Sequence, residues 1–166
     1  MRPLVVAIAI AAFALAARAG GADAYDDVIA ALGAQVEIEL HEAAVEETAG
    51  MVAAPCVDPT RSAWIVAAPA LTAADIASIT VVERFPPVPG ALEVRFTEAG
   101  AVKNRQLTTR LNGKWIGVTL NGKILTMITV KAPSDAASIV TTKMSEAQIA
   151  ALCDAFTRTH PAHDGK

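Results

Sequence analysis

The apolar and polar positions along the chain fall into short segments of different period. Residues 4–17 form an unbroken apolar run. Over 34–40, Val36, Ile38 and Leu40 alternate with Gln35, Glu37 and Glu39, the pattern of a strand with one face on a core and its acids in water. The alanines and glutamates that follow keep helix as a competitor there. Residues 50–62 carry Pro55 and Pro59 and read as a loop leading to a short strand at 64–67. Leu71-Thr72-Ala73-Ala74-Asp75-Ile76 reads as a capped turn, in which Thr72 or Asp75 satisfies backbone donors that the turn leaves free. Strands are expected at 78–84 and 92–96, separated by Pro86-Pro87-Val88-Pro89-Gly90, whose prolines stop the ladder.

Thr97 stands at the start of a helix that runs to about Leu111, with a narrow apolar stripe of Ala99, Val102, Leu107 and Leu111. Asn112-Gly113 ends it, glycine being suited to the left-handed cap. Residues 115–120 and 123–130 read as strands joined by Asn121-Gly122, a strong short-range hairpin signal. Pairing Leu120 with Lys123 sets Val118 against Leu125 and Ile116 against Met127, which predicts one apolar patch. After a polar loop at 133–137, residues 138–141 read as a further strand. The last helix carries a capping box, Ser145 with Gln148, and an apolar stripe of Ile149, Leu152, Cys153 and Phe156 at helical spacing. The tail from Thr159 is polar and expected to fray. These elements predict an α+β fold: a ferredoxin-like sheet with two packing helices, preceded by a small acidic segment that contains a strand.

Composition changes the meaning of the first apolar run. The chain has 166 residues, 53% hydrophobic and only 4% aromatic, and 36 of the residues are alanine, so large core-forming side chains are scarcer than the total suggests. Met1-Arg2 before the run and Ala22-Asp23-Ala24 after it give the three regions of a secretory signal peptide, with cleavage expected before Tyr25. A membrane-spanning helix needs about 20 apolar residues, and Arg18, Gly20 and Gly21 close this run earlier. Nothing later is long and apolar enough to span, so a periplasmic or secreted location follows. The expected division is 1–24 signal, 25–63 acidic segment, 64–157 α+β domain and 158–166 tail.

Net charge is −3, yet residues 26–83 hold ten acids against Arg61 alone, whereas residues 84–166 hold a basic excess. Without a concentrated basic tract, neither nucleic acid nor an anionic membrane is an expected partner. The spread of basic residues fits solvated faces around a core, or a dipole that steers a charged partner. Cys56 and Cys153 are the two cysteines. In an oxidising compartment they are expected to pair, tying the acidic segment to the last helix, the competing reading being two free thiols.

Candidate chemistry is sparse. His41 with Glu37, Glu39 and Glu42 offers at best a weak metal set, and the same residues suit a strand edge with solvated acids. His160 and His163 lie in the tail without a helical ligand spacing. Asp58, Asp75, Glu83 and Glu93 are carboxylates available for acid–base work, but no spacing brings two together. There is no nucleophile elbow, phosphate loop or dinucleotide fingerprint, so no catalytic, cofactor or metal residues are assigned and an enzyme is not expected.

The order of motifs carries a resemblance. Leu71-Thr72-Ala73-Ala74-Asp75-Ile76, Arg95-Phe96-Thr97, Ala99-Gly100-Ala101 opening a helix, Ile116 to Ile124 with its Asn-Gly-Lys turn, and the Ser145-Glu146-Ala147-Gln148 helix together resemble the head subdomain of the first periplasmic domain of SecD-type protein-export subunits, across about residues 64–157. The resemblance implies a ferredoxin-like head that engages emerging polypeptide. The 166 residues contain no transmembrane bundle, no intramembrane carboxylate to relay protons and no recognisable base subdomain, and the cysteine pair is not part of that pattern. The expected function is an exported, non-catalytic module that binds a polypeptide or envelope protein, for instance by adding a strand to an open sheet edge. The alternative is a small-ligand-binding or inhibitor protein on the same scaffold, with Trp64 and Trp115 lining a pocket between the acidic segment and the sheet.

Overall fold

Local capping chemistry sets where the elements begin and end. A computed structural model describes residues 22–33, 35–82, 90–135 and 137–161. Its helices are α1 (Ala22–Ala30), α2 (Glu98–Arg110) and α3 (Glu146–Thr159). Its strands are β1 (Ile38–Ala44), β2 (Val52–Ala54), β3 (Ala63–Ile65), β4 (Ile76–Val82), β5 (Ala91–Phe96), β6 (Trp115–Leu120), β7 (Lys123–Thr129) and β8 (Ala137–Thr141), and one 3-10 turn spans Ala73–Asp75. Thr97 caps α2 by accepting from the Gly100 amide, and Gly113 follows the helix with φ of 78°. At α3 the Gln148 amide donates to Ser145 Oγ and the Ser145 amide donates to Gln148 Oε1, the reciprocal box expected from these two residues.

The α+β class is what the chain adopts: three helices and two antiparallel sheets among the described residues, consistent with a ferredoxin-like arrangement. The five-stranded sheet has the order β2-β3-β1-β6-β7 and the three-stranded sheet the order β4-β5-β8. The strand expected at 34–40 lies later, over Ile38–Ala44, and sits inside the larger sheet, paired with β6 from Ile38↔Leu120 to Ala43↔Trp115. Residues 50–62, read as a loop, contain β2. The signal expected over 1–24 and the proline-bounded loop at 85–90 lie largely outside the described residues, as do His163 and the end of the tail.

The hairpin turn forms as expected, with Leu120 opposite Lys123, but its register changes two residues on. A bulge falls between Val118 and Thr119, after which Val118 faces Thr126 and Ile116 faces Ile128. The expected pairs Val118–Leu125 and Ile116–Met127 are therefore replaced. The extra residue turns both Leu125 and Thr126 away from the face that carries Ile124 and Met127, so apolar side chains serve both faces of the sheet.

The main core lies between the two sheets and the helices, where Ile38, Leu40, Ile116, Val118, Leu92, Val94, Val140, Leu152 and Phe156 are buried in one cluster. A smaller cluster of Ala43, Ala63, Ile65 and Ile124 lies on the other face of the larger sheet. That sheet curls until its ends meet: Ile124 N donates to Pro55 O at 2.8 Å and Val57 N to Ile124 O at 2.9 Å, so the chain just after β2 bonds to β7. The closure explains the cysteines. Cys56 packs on the smaller cluster and Cys153 on the main core, and both are free thiols, so the expected Cys56–Cys153 disulfide is corrected. The last helix turns its Cys153 toward a core that Cys56, on the far face of the sheet, does not share.

Candidate functional site

The motif residues of the capped turn and α2 meet in one joint. Thr72 N donates to Asp75 Oδ2 at 3.0 Å, Thr97 N donates to Asp75 O at 2.9 Å, and Lys103 Nζ donates to Asp75 Oδ1 at 2.7 Å. Burial works to raise the Asp75 carboxyl, but the Lys103 ammonium and the Thr72 donors outweigh it and hold it below its ordinary value. Gly100 lies against the same carbonyl: a Cβ there would stand 2.0 Å from Asp75 O. These residues fasten α2 to the start of β4, and their chemistry is used up in doing so.

An open site lies elsewhere, between the two sheets. Strands β7 and β8 each end a sheet and face each other across a groove of about 680 Å³. They follow one another in the chain and run antiparallel, yet among the described residues the bond between them is the one Thr126 Oγ1 donates to Thr141 O at 3.0 Å. Toward the connecting loop the groove lies between them. Val130 bonds toward β6 (Val130 N to Lys114 O, 2.9 Å), so by alternation the peptide groups of Met127 and Thr129 point outward. Thr142 N bonds toward β5 (to Gly90 O, 3.3 Å), which in the same way turns the peptide groups of Ile139 and Thr141 outward. The floor holds the buried side chains of Leu40 and Ile116, and Ile139 is an exposed large apolar residue at the rim. Lys131 is the one charged side chain among the described residues lining the groove.

Past the Thr126–Thr141 bond, outside the groove lining, an ion pair ties the chain after β8 to the chain after β2. Lys143, just beyond β8, donates through Nζ to Asp58 Oδ2 at 2.8 Å, and Asp58 also accepts from Thr60 N and Thr60 Oγ1. The Lys143 ammonium and the Thr60 donors hold the buried Asp58 carboxyl far below the usual carboxylate range. A carboxyl lowered on folding contributes stability that is full above its unfolded pKa of about 3.9 and is lost as pH falls through the folded value. Asp58→Asn is accordingly expected to lose about 1.5 kcal/mol at neutral pH, because Lys143 is largely exposed and part of the attraction is screened. Urea denaturation from pH 7 down to 2 should show a shallower acid limb for the variant than for the native chain.

The other candidates are placed apart. His41 is buried and bonds through Nδ1 to Val66 O at 2.9 Å, with Nε2 3.3 Å from Glu39, while Glu42 takes Arg110; these residues tie strands and α2 together. Among the described residues no group of three His, Cys, Asp or Glu side chains converges as a metal set. His160 stacks on Phe156 with ring centroids 4.5 Å apart. Asp58, Asp75 and Glu93 pair with three different cations, Lys143, Lys103 and Arg95, and Glu83 lies outside the described residues. Trp115 lines the groove and shares a cluster with Ile65; Trp64, the neighbour of Ile65 on β3, falls on the opposite face, so the two tryptophans do not wall one pocket. Of the groove residues, Ile116 falls in the Ile116–Ile124 motif and Trp115 was expected at a pocket, but the strand edges at Met127, Thr129 and Ile139 belong to no sequence motif. A loop between two strand candidates is the ordinary sign of a paired hairpin, and no short-range signal tells that β7 and β8 stay apart.

Fold and groove together define an α+β module with two strand edges that border the groove, β7 beyond its Ile124 bonds to Pro55 and Val57, and β8 before Thr141. Solved structures of SecDF share the fold. The first, a membrane component that enhances protein export, matches with a TM-score of 0.57 at 18% identity over 75% of this chain and 63% of its own. The second, SecDF in a super-membrane-facing form, matches with a TM-score of 0.53 at 19% identity over 78% of this chain and 20% of its own. This chain thus has a SecDF-like fold and spans less than two thirds of either chain. No protein-family model and no curated protein matches the sequence. Among the described residues no helix is long and apolar enough to cross a membrane.

Proposed function

We propose that this chain is an exported, non-catalytic binding module, SecD-head-like over about residues 64–157, that engages an extended polypeptide. The observation that carries the reading is the pair of facing strand edges, β7 and β8, each ending its sheet beside a groove with an apolar floor. An open edge offers peptide donors and acceptors that any extended chain can satisfy, so binding needs little sequence information and suits a client that is not yet folded. The SecDF-like fold supports the same reading, since SecDF enhances protein export. The test is fluorescence anisotropy with a labelled model protein kept unfolded by reduction and alkylation. Saturable binding that the same protein in its folded, disulfide-intact form does not compete is expected. Absence of binding to the unfolded chain, with a small molecule retained by the purified protein in native mass spectrometry, would establish the small-ligand alternative instead.

A further inference from the structure

We propose that the β7–β8 groove takes a single extended segment that hydrogen-bonds to both strand edges at once, joins the two sheets, and is preferred when a carboxylate lies at the Lys131 end. The inference rests on the polypeptide reading above and adds the place, the geometry and the chemistry of the segment. The outward peptide groups of Met127 and Thr129 stand on one wall and that of Ile139 on the other. Because β7 and β8 run antiparallel, a strand between them is antiparallel to one and parallel to the other, and both pairings are ordinary sheet geometry. Such a strand would bridge the five-stranded and three-stranded sheets.

Both ends of the groove bear on what enters. At the β8 C-terminal end, Thr126 Oγ1 already holds Thr141 O, so the walls meet there and an incoming chain stops. At the other end Lys131 lines the mouth, and the exposed Lys114 lies next to it, its carbonyl accepting from Val130 N. Asp135, the acid of the connecting loop, is paired with Arg105 at 3.1 Å. The mouth therefore presents positive charge, although the chain as a whole is acidic with a net charge of −3. The buried floor of Leu40 and Ile116 favours β-branched or aliphatic side chains on the inward face. The client is an extended stretch of alternating apolar residues bounded by an acidic one.

The experiment uses the full chain and two labelled heptapeptides of alternating valine and threonine, one with glutamate at both ends and one with lysine at both ends, which removes any dependence on binding direction. The glutamate peptide is expected to bind roughly fivefold more tightly at low salt, a preference that fades as salt rises. Lys131→Glu should abolish or invert it. Ile139→Pro removes an outward N–H without touching the bonds to β5, and Thr129→Pro does the same on β7; each is expected to weaken both peptides, with thermal unfolding confirming the fold. Amide exchange read by NMR provides a measure independent of variants: slowing at Met127, Thr129 and Ile139 together is expected. Equal affinity for the two peptides, or slowing confined to one strand, overturns the proposal. If the unfolded model protein binds while these amides do not change, the general reading stands and this inference fails; if no polypeptide binds, both fall.

Discussion

Gly100→Ala is expected to destabilise the protein by about 3 kcal/mol, lowering the thermal midpoint by roughly 10 °C. The usual effect of this substitution inside a helix is stabilising, because alanine restricts the unfolded chain. Here the new methyl would meet backbone that has nowhere to go: 2.0 Å from Asp75 O and 2.9 Å from Asp75 C. That carbonyl also accepts from Thr97 N and from Thr97 Oγ1, so moving it aside loosens the cap of α2 as well as the turn before β4. Gly33 is the matched control, with nothing within 4 Å of its Cβ position and no left-handed backbone, and Gly33→Ala should leave the midpoint nearly unchanged. Differential scanning calorimetry of the two variants compares them directly. Equal midpoints would mean that α2 does not seat on the Asp75 carbonyl.

The second large effect is expected at the end of α3. Phe156 is 1% exposed, belongs to the main core and stacks against His160. Phe156→Ala should cost about 4 kcal/mol, the transfer of the ring to water plus the cavity left among neighbours held by two sheets. Phe156→Leu, which keeps most of the volume, is expected to lose about a third of that. Guanidinium denaturation provides the measure, and an unchanged slope would show that the loss arises in the folded state. With so few aromatic residues in the chain, one ring carries an unusual share of the core. A Phe156→Ala cost below about 1 kcal/mol would show that α3 packs loosely on the main core.

The motifs that carry the resemblance to SecD-type heads turn out to be joints. Thr72 and Asp75, Thr97 and Gly100, and Ser145 with Gln148 all satisfy backbone groups at element ends, and Lys103 completes the first of these joints. Such residues are set by the chain path they cap and fasten, so they report on fold and say nothing about a ligand. The groove is made of ordinary strand residues, Met127, Thr129 and Ile139, whose side chains carry no distinguishing chemistry. What sets them apart is the peptide groups they leave facing open space.

The elements that depend on neighbours in sequence were therefore legible from the chain alone: the caps of α2 and α3, the Asn121-Gly122 turn, the apolar stripe of α3, the α+β class. The caps and the turn are decided within about four residues and the stripe within two helical turns, by hydrogen bonds and side-chain spacing that the order of residues already contains, and the class follows from the order of such elements. The bulge that displaced the Val118–Leu125 pairing, the insertion of β1 between β3 and β6, the closure of Pro55 and Val57 on Ile124, the separation of Cys56 from Cys153 and the gap between β7 and β8 were decided by tertiary structure. In each of these the partners lie far apart in sequence or compete with an equally good local alternative, and only the packing of both sheet faces selects among them. β7 must serve two cores at once, with Ile124 and Met127 on one face and Leu125 on the other, and no count of residues along a single strand contains that demand.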